Sequence, residues 1–274
     1  MKRKNTSRIS AAFEALKEKK EKALITFITA GDPDIKTTKD LVLTLEGSGA
    51  DIIELGIPFS DPMADGPTIQ ASSERAIAAG TTIQKVIALV KDVRKESSVP
   101  IVLFGYYNPI FTFGLKRFAR GAKEAGVDGV LVVDLPPEES DELKKELDGV
   151  GIDLIFLLTP TSDRSRMRLV ASKGSGFIYF VSVTGVTGAR KEVSKNIRDY
   201  IKEARKHTGL PLGVGFGIST PAQAREVCQW ADGVIVGSAI INIVSKTRGG
   251  KKTASEVGRF VSRLKKGISG GNFL

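Results

Sequence analysis

Eight short apolar runs punctuate this chain, and they constrain its fold more than any other feature. They cover residues 24–28, 51–55, 101–104, 129–133, 153–158, 177–181, 211–214 and 233–236. Most are too short for helices. Their Val, Ile, Leu and Phe residues follow one another rather than alternating with polar ones, as in strands of a parallel sheet buried on both faces. Between them, Ile83, Val86, Ile87, Val90 and Val93 fall at helical spacing, as do Val193, Ile197, Tyr200, Ile201 and Ala204. Pro136-Pro137-Glu138-Glu139 puts prolines and acids into a first helical turn, and Ser219-Thr220-Pro221 offers a cap followed by proline. The runs begin 27, 50, 28, 24, 24, 34 and 22 residues apart, the spacing of repeated βα units. Eight such units in 274 residues predict an α/β fold, a closed (β/α)8 barrel, with a doubly wound open sheet as the alternative. No linker or composition shift divides the chain, so residues 1–274 read as one domain. An extra N-terminal helix precedes the first strand and is expected to plug the barrel floor. Residues 1–6 and about 267–274 read as flexible ends.

Composition narrows the function. With 41% apolar and 26% charged residues, the chain is neither disordered, coiled-coil nor collagen-like. Lys and Arg exceed Asp and Glu by 41 to 31, a net +10 that favours anionic partners such as phosphorylated metabolites. The cations are spread along the chain, without an aromatic-interleaved basic patch or zinc-finger spacing, so nucleic-acid binding has no support. One cysteine, Cys228, and one histidine, His207, leave no disulfide, no Cys/His metal site and no mechanism that needs two histidines; no metal is expected. Cys228 reads as a small core residue and His207 as a solvent-facing residue at a helix end. No apolar run approaches the roughly 18 residues of a membrane span, and no signal-peptide core follows the basic N-terminus; a cytoplasmic location is expected.

Two connections after strands are long: 56–71 (GIPFSDPMADGPTIQA) and 182–194 (SVTGVTGARKEVS). Both fall on the C-terminal face, where barrel enzymes keep their sites, and long loops there are usually functional. Glycines cluster at three adjacent strand ends: Gly185–Gly188 after the sixth run, Gly215–Gly217 after the seventh and Gly237-Ser238 after the eighth. Such turns let backbone N–H groups approach an anion, and a phosphate is the reading they support; tight turns needing positive φ are the structural alternative. The pattern is neither a Walker loop nor GxGxxG. Glu54 stands inside the run DIIELG, where a carboxylate is costly unless it faces a mouth or a partner. Desolvation there raises its pKa and suits a general acid or base; a salt bridge to a neighbouring strand is the alternative. Asp65 lies in the loop that overhangs the mouth, and Asp61 and Asp134 read as turn or helix caps. Tyr179 lies on the sixth run, and its hydroxyl needs a partner if buried.

These same segments carry a resemblance. GADIIELGIPFSDPMADGPTIQ (49–70), TFITAGDPD (26–34), GVDGVLVVDLPPEES (126–140), YFVSVTGVTGAR (179–190) and GVGFGIS (213–219) resemble the α subunit of tryptophan synthase, in order, from about residue 7 to about residue 265. The resemblance implies a (β/α)8 barrel and a lyase of tryptophan biosynthesis, which cleaves indole-3-glycerol phosphate to indole and glyceraldehyde 3-phosphate by a retro-aldol reaction. It implies Glu54 as the acid that protonates the indole carbon, Asp65 as the acceptor for the indole N–H, and Tyr179 nearby. Gly188, Gly217, Gly237 and Ser238 match the phosphate site. Phe27, Tyr106 and Ile235 match the indole pocket, with core packing as their alternative. Thr187 matches loop closure, and Pro58 and the 108–113 loop with Asn108 match the partner contact. The implied partner is a β subunit in an α2β2-type complex; it carries pyridoxal phosphate, and no cofactor is expected in this chain. Two other readings stand beside this one: a non-catalytic subunit that activates the β partner, and another phosphate-binding barrel enzyme of tryptophan or histidine biosynthesis. The ADGP loop argues against the second.

Overall fold

The eight apolar runs form eight parallel strands: β1 (Ala23–Thr29), β2 (Ile52–Gly56), β3 (Ile101–Gly105), β4 (Gly129–Val132), β5 (Asp153–Leu158), β6 (Ile178–Val181), β7 (Leu212–Gly215) and β8 (Gly233–Val236). They pair in chain order, and β8 closes on β1, so the sheet is a barrel and not an open doubly wound sheet. The structure is a computed structural model that describes residues 7–181, 190–215 and 217–269, with the side chains of 190–196 outside the description. Every residue of β1, β2, β4 and β8 is buried, as continuous apolar runs require.

The helices wrap this barrel. They are α1 (Arg8–Glu18), α2 (Ile35–Gly47), α3 (Pro67–Ala78), α4 (Ile83–Val93), α5 (Tyr107–Phe113), α6 (Leu115–Ala125), α7 (Asp141–Val150), α8 (Arg164–Lys173), α9 (Arg190–Arg205), α10 (Pro221–Cys228), α11 (Ser238–Thr247) and α12 (Gly250–Ser269). The 50-residue interval between the second and third runs holds two helices, α3 and α4, and the interval after β3 also holds two. On α4, Val86, Leu89, Val90 and Val93 are buried, and on α9 Ile197, Ile201 and Ala204 are, so both periodic patterns face the barrel. Thr220 caps α10 in a reciprocal capping box with Gln223, with proline inside the first turn. Pro137–Glu139 makes only a single 3-10 turn; α7 starts beyond it at Asp141. Cys228 is buried at the end of α10. His207 follows α9 but is not solvent-facing: its side chain is 18% exposed, and Nε2 lies 3.4 Å from Glu203 Oε1.

Register decides which side chains enter the barrel. In a parallel pair, residues in register point to the same side, and direction alternates along each strand. Ile25 pairs with Ile52 and with Ile235, and Phe27 pairs with Glu54, so these five share the interior. Val102, Leu131, Ile155 and Phe177 continue the lower layer around the barrel. Three glycines make room for it. A Cβ on Gly213 would lie 3.2 Å from the Cδ1 atoms of both Ile25 and Ile235, and one on Gly233 would lie 3.0 Å from Ala23. At Gly129 the space is taken from below, because a Cβ there would lie 2.8 Å from Ile9 Cδ1 of α1.

That contact shows how α1 closes the floor. Ile9, Phe13 and Leu16, spaced by four and three, pack in one cluster with the lower interior layer, and the Phe13 and Phe177 ring centroids are 5.8 Å apart. Ser7 caps the helix, and Arg8 binds Asp128 Oδ1 at 2.7 Å, just before β4. Ile9→Ala is therefore expected to cost about 2–5 kcal/mol, read as a lower urea midpoint at unchanged slope. An unchanged midpoint would mean that α1 does not fill the floor.

Candidate active site

Glu54 is the third residue of β2 and points into the barrel. Its in-register neighbours are Phe27 on β1 and Val102 on β3, so no cation faces it from either adjacent strand. Both carboxylate oxygens are buried and neither has a hydrogen-bond partner in the described structure. Among the described residues no salt bridge gives Glu54 a structural role. Loss of hydration alone pushes its pKa from 4.5 up to about 8. That shift favours the protonated acid near neutral pH.

Asp65 reaches the same region from the loop after β2. This connection is shorter than expected, because Pro67 opens α3 and the loop covers only residues 57–66. The tip is a turn in which Asp65 N–H donates to Pro62 O at 3.0 Å. Tyr106, directly after β3, donates its hydroxyl to Asp65 Oδ2 at 3.1 Å and accepts from Ala64 N–H at 3.0 Å. Partial burial raises the Asp65 pKa, and the Tyr106 hydrogen bond opposes that rise. Tyr179 of β6 is the third member. Desolvation first, then the charges of Glu54 and Asp65, hold its phenol well above the ordinary tyrosine value. Glu54 and Tyr179 both enter the barrel interior, linked through Phe27 and Phe104, and Asp65 reaches the same end through Tyr106.

Aromatic walls surround this group. Phe27 packs edge-on against Phe104 with centroids 5.2 Å apart, and Phe104 lies 6.3 Å from Tyr179. Phe27, Tyr106 and Ile235 are all buried, as an apolar pocket requires. Two glycines fit the rings: a Cβ on Gly56 would lie 2.7 Å from Phe27 Cζ, and one on Gly215 would lie 2.6 Å from the Tyr179 hydroxyl. Phe104 was not singled out from sequence. Only its pairing with Gly56 places it inside, and that register is invisible in the run IVLFG.

Beside this pocket, α11 opens directly after β8 at Gly237 and Ser238, with no side chain capping it. The neighbouring α10 has its own cap. Gly217 has φ +55° and open space where a Cβ would stand. A free helix N-terminus next to a glycine turn is a ready anion site. Gly188 and Thr187 lie outside the described residues. Asn108 is exposed but helical, on α5 and not in a loop; Asp134 caps that helix by accepting from Tyr107 N–H at 2.8 Å, rather than capping a helix of its own. Pro58 lies in the loop after β2, partly exposed.

Comparison with known proteins agrees with this architecture. The family profile described as tryptophan synthase alpha chain matches residues 13–269. The tryptophan synthase alpha chain of Geotalea uraniireducens is 58% identical over 262 residues, covering 96% of this chain and 98% of the relative. That of Geobacter sulfurreducens is 57% identical over 266 residues, covering 96% and 99%. Among solved structures, tryptophan synthase subunit alpha from Legionella pneumophila superposes with a TM-score of 0.88 at 38% identity, covering 96% and 98%. A chain of Mycobacterium tuberculosis tryptophan synthase gives 0.88 at 32%, covering 97% and 99%.

The state of Glu54 has a consequence for stability that needs no substrate. Its folded pKa lies above its unfolded value, so its contribution is fully present below about 4.5 and is lost as pH rises towards about 8. Glu54→Gln removes that loss. Its unfolding free energy is expected to exceed that of wild type by a margin that widens between pH 5 and pH 8, by up to about 4 kcal/mol. Denaturant titrations at both pH values measure it; a margin independent of pH would mean that Glu54 is ionised in the folded protein.

Proposed function

The chain belongs to the tryptophan synthase α-chain family, and on that premise we propose that it cleaves indole-3-glycerol phosphate to indole and glyceraldehyde 3-phosphate through Glu54, Asp65 and Tyr179. The observation that carries this reading is the buried, unpartnered carboxyl of Glu54 inside the barrel.

In this reading Glu54 gives its proton to C3 of the indole. The ring becomes a cationic indolenine, and its N–H donates to the Asp65 carboxylate, which stabilises the positive charge as it develops. The C–C bond then breaks. Its electrons return to the ring and restore indole, while the hydroxyl carbon becomes the aldehyde of glyceraldehyde 3-phosphate. The hydroxyl proton passes to the Glu54 carboxylate, so one proton enters and one returns and the acid is ready again. Tyr179 lines the path of that proton. Phe27, Tyr106 and Ile235 hold the indole, and Phe104 joins them. Gly217, Gly237, Ser238 and the N-terminus of α11 take the phosphate. Gly188, matched to the phosphate site, and Thr187, matched to loop closure, carry those roles by resemblance alone.

The partner is a β subunit that condenses indole with serine on its own pyridoxal phosphate; this chain is assigned no cofactor. Pro58 and Asn108 border the proposed contact face. Exposed apolar side chains on the same two segments support it: Met63 is 88% and Phe111 57% exposed. No helix among the described residues is long and apolar enough to cross a membrane, and a cytoplasmic location goes with the biosynthetic role.

The test is glyceraldehyde 3-phosphate release from indole-3-glycerol phosphate, with and without a cognate β subunit. Glu54→Gln is expected to lose at least about 10²–10⁴-fold in turnover while still binding the substrate. Because the acid form is the active one, kcat/KM of wild type is expected to fall as pH rises through about 8. Near-normal turnover by Glu54→Gln removes Glu54 from the mechanism.

A further inference from the structure

The loop that carries Asp65 is not held by its own residues alone. Two side chains from outside it converge on the last few residues before α3. From the barrel side, Tyr106 spends its hydroxyl proton on Asp65 Oδ2 at 3.1 Å and takes the Ala64 N–H at 3.0 Å. From the helix side, Gln70 of α3 donates its Nε2 to the backbone oxygen of Asp65 at 2.8 Å and to that of Pro62 at 3.4 Å. One contact fixes the carboxylate and the other fixes the backbone that bears it.

Both anchors are rigid in their turn. Tyr106 is 4% exposed, and its ring stacks with Phe59, centroids 5.3 Å apart. Helix α3 is tied to the β1 end of the barrel by the 2.6 Å bond between the Thr29 and Ser72 hydroxyls. The bidentate pair of Arg75 with buried Asp32, at 2.8 and 2.7 Å, ties it again. A catalytic carboxylate on a loop needs such support, because small displacements of a reacting group cost much of its effect.

We propose that Tyr106 and Gln70 are positioning residues that clamp Asp65 from opposite sides and hold its carboxylate ready for the indole N–H before substrate arrives. The inference rests on the assignment of Asp65 above. It gives Tyr106 a role through its hydroxyl, beyond the apolar wall that its ring supplies, and it gives Gln70 a role that its sequence position does not suggest.

The two anchors differ in what they touch, and this separates their effects. Tyr106 bonds the titrating group. Asp65 is active as a carboxylate, so activity is lost as pH falls through its pKa. The Tyr106 bond lowers that pKa, so removing the hydroxyl moves the acid limb of the pH–rate profile to higher pH. Gln70 bonds only backbone oxygens and leaves the limb in place. The other ionisable groups facing this cluster are Tyr179 from β6 and Glu54 from β2. Asp134, after β4, acts on Tyr106, and Asp61, in the same loop, is hydrogen-bonded to Ser60. Tyr106→Phe and Gln70→Leu alter none of their charges.

The experiment compares Tyr106→Phe, Gln70→Leu and Asp65→Asn in the full chain with saturating β subunit, reading kcat, KM and pH profiles for indole-3-glycerol phosphate cleavage. With KM within about threefold in both, Tyr106→Phe is expected to lose about 10–100-fold in kcat, the scale of a lost hydrogen bond to a charged group, and Gln70→Leu about 2–10-fold, the scale of a neutral one. Tyr106→Phe alone is expected to move the acid limb upward. Full activity in both clamp variants, with Asp65→Asn inactive, overturns the clamp and leaves the Asp65 assignment standing. So does a drop in Tyr106→Phe with an unmoved limb, which makes Tyr106 a pocket wall only. Full activity in Asp65→Asn overturns the assignment itself. If Tyr106→Phe fails to fold, Gln70→Leu against Asp65→Asn still decides.

Discussion

Closing eight parallel strands into a ring leaves each strand residue only two directions, and the register fixes which one it takes. Glu54 takes the inner one because Phe27 and Val102 stand beside it in register and point inward with it. Everything chemical about the site follows from that placement. The carboxyl cannot turn to the helix layer, because side chains alternate along β2 and its neighbours Ile53 and Leu55 take the outward direction. It finds no cation across either strand, and so keeps its proton. The same alternation sends Leu24, Ile28, Ile53 and Leu55 outward into the packing under the helices, which stabilises the barrel that holds the acid.

Size is distributed around the ring as deliberately as polarity. The interior is filled mostly by large residues on β1 to β6, with Gly56 and Gly129 as exceptions, and is opened further by glycines on β7 and β8. Gly213, Gly215 and Gly233 receive the ends of Ile235, Tyr179 and Ile25. The glycines therefore do two jobs at one end of the barrel. Within the strands they admit neighbouring side chains, and just past the strand ends, at Gly217 and Gly237, they leave backbone N–H groups uncovered. An anion and an aromatic ring can be accommodated side by side because the strands that bear the glycines are adjacent.

Much of this was legible in the sequence. All eight strands, the floor helix, the Thr220 cap of α10 and the burial of Glu54 follow from local pattern and from the cost of a carboxylate in an apolar run. What was not legible depends on register or on contacts between elements. Phe104 becomes a pocket wall only through its pairing with Gly56. The paired helices after β2 and β3 fill intervals that read as one long loop or one helix, so Asn108 was expected in a loop and stands on α5. Pro67 reads from sequence as part of the loop, although it opens α3 in the first helical position. Gln70 carries no signal of its own, because a glutamine in the first turns of a helix is ordinary until its amide is seen on the Asp65 turn. The Lys and Arg residues behind the charge of +10 are spread along the chain, and nothing among the described residues explains the excess.

The helix that seals the floor has a consequence for traffic. With Ile9 and Phe13 packed beneath the lower interior layer, the floor end of the barrel is closed among the described residues. Whatever is released beside Glu54 leaves at the other end, on the side of the loop that carries Pro58 and Met63. Entry of the next molecule and departure of the last use that same end. Whether a product escapes to solvent or is delivered onward is then settled by what lies across the rim, and this chain needs no conduit of its own to give the flow a direction.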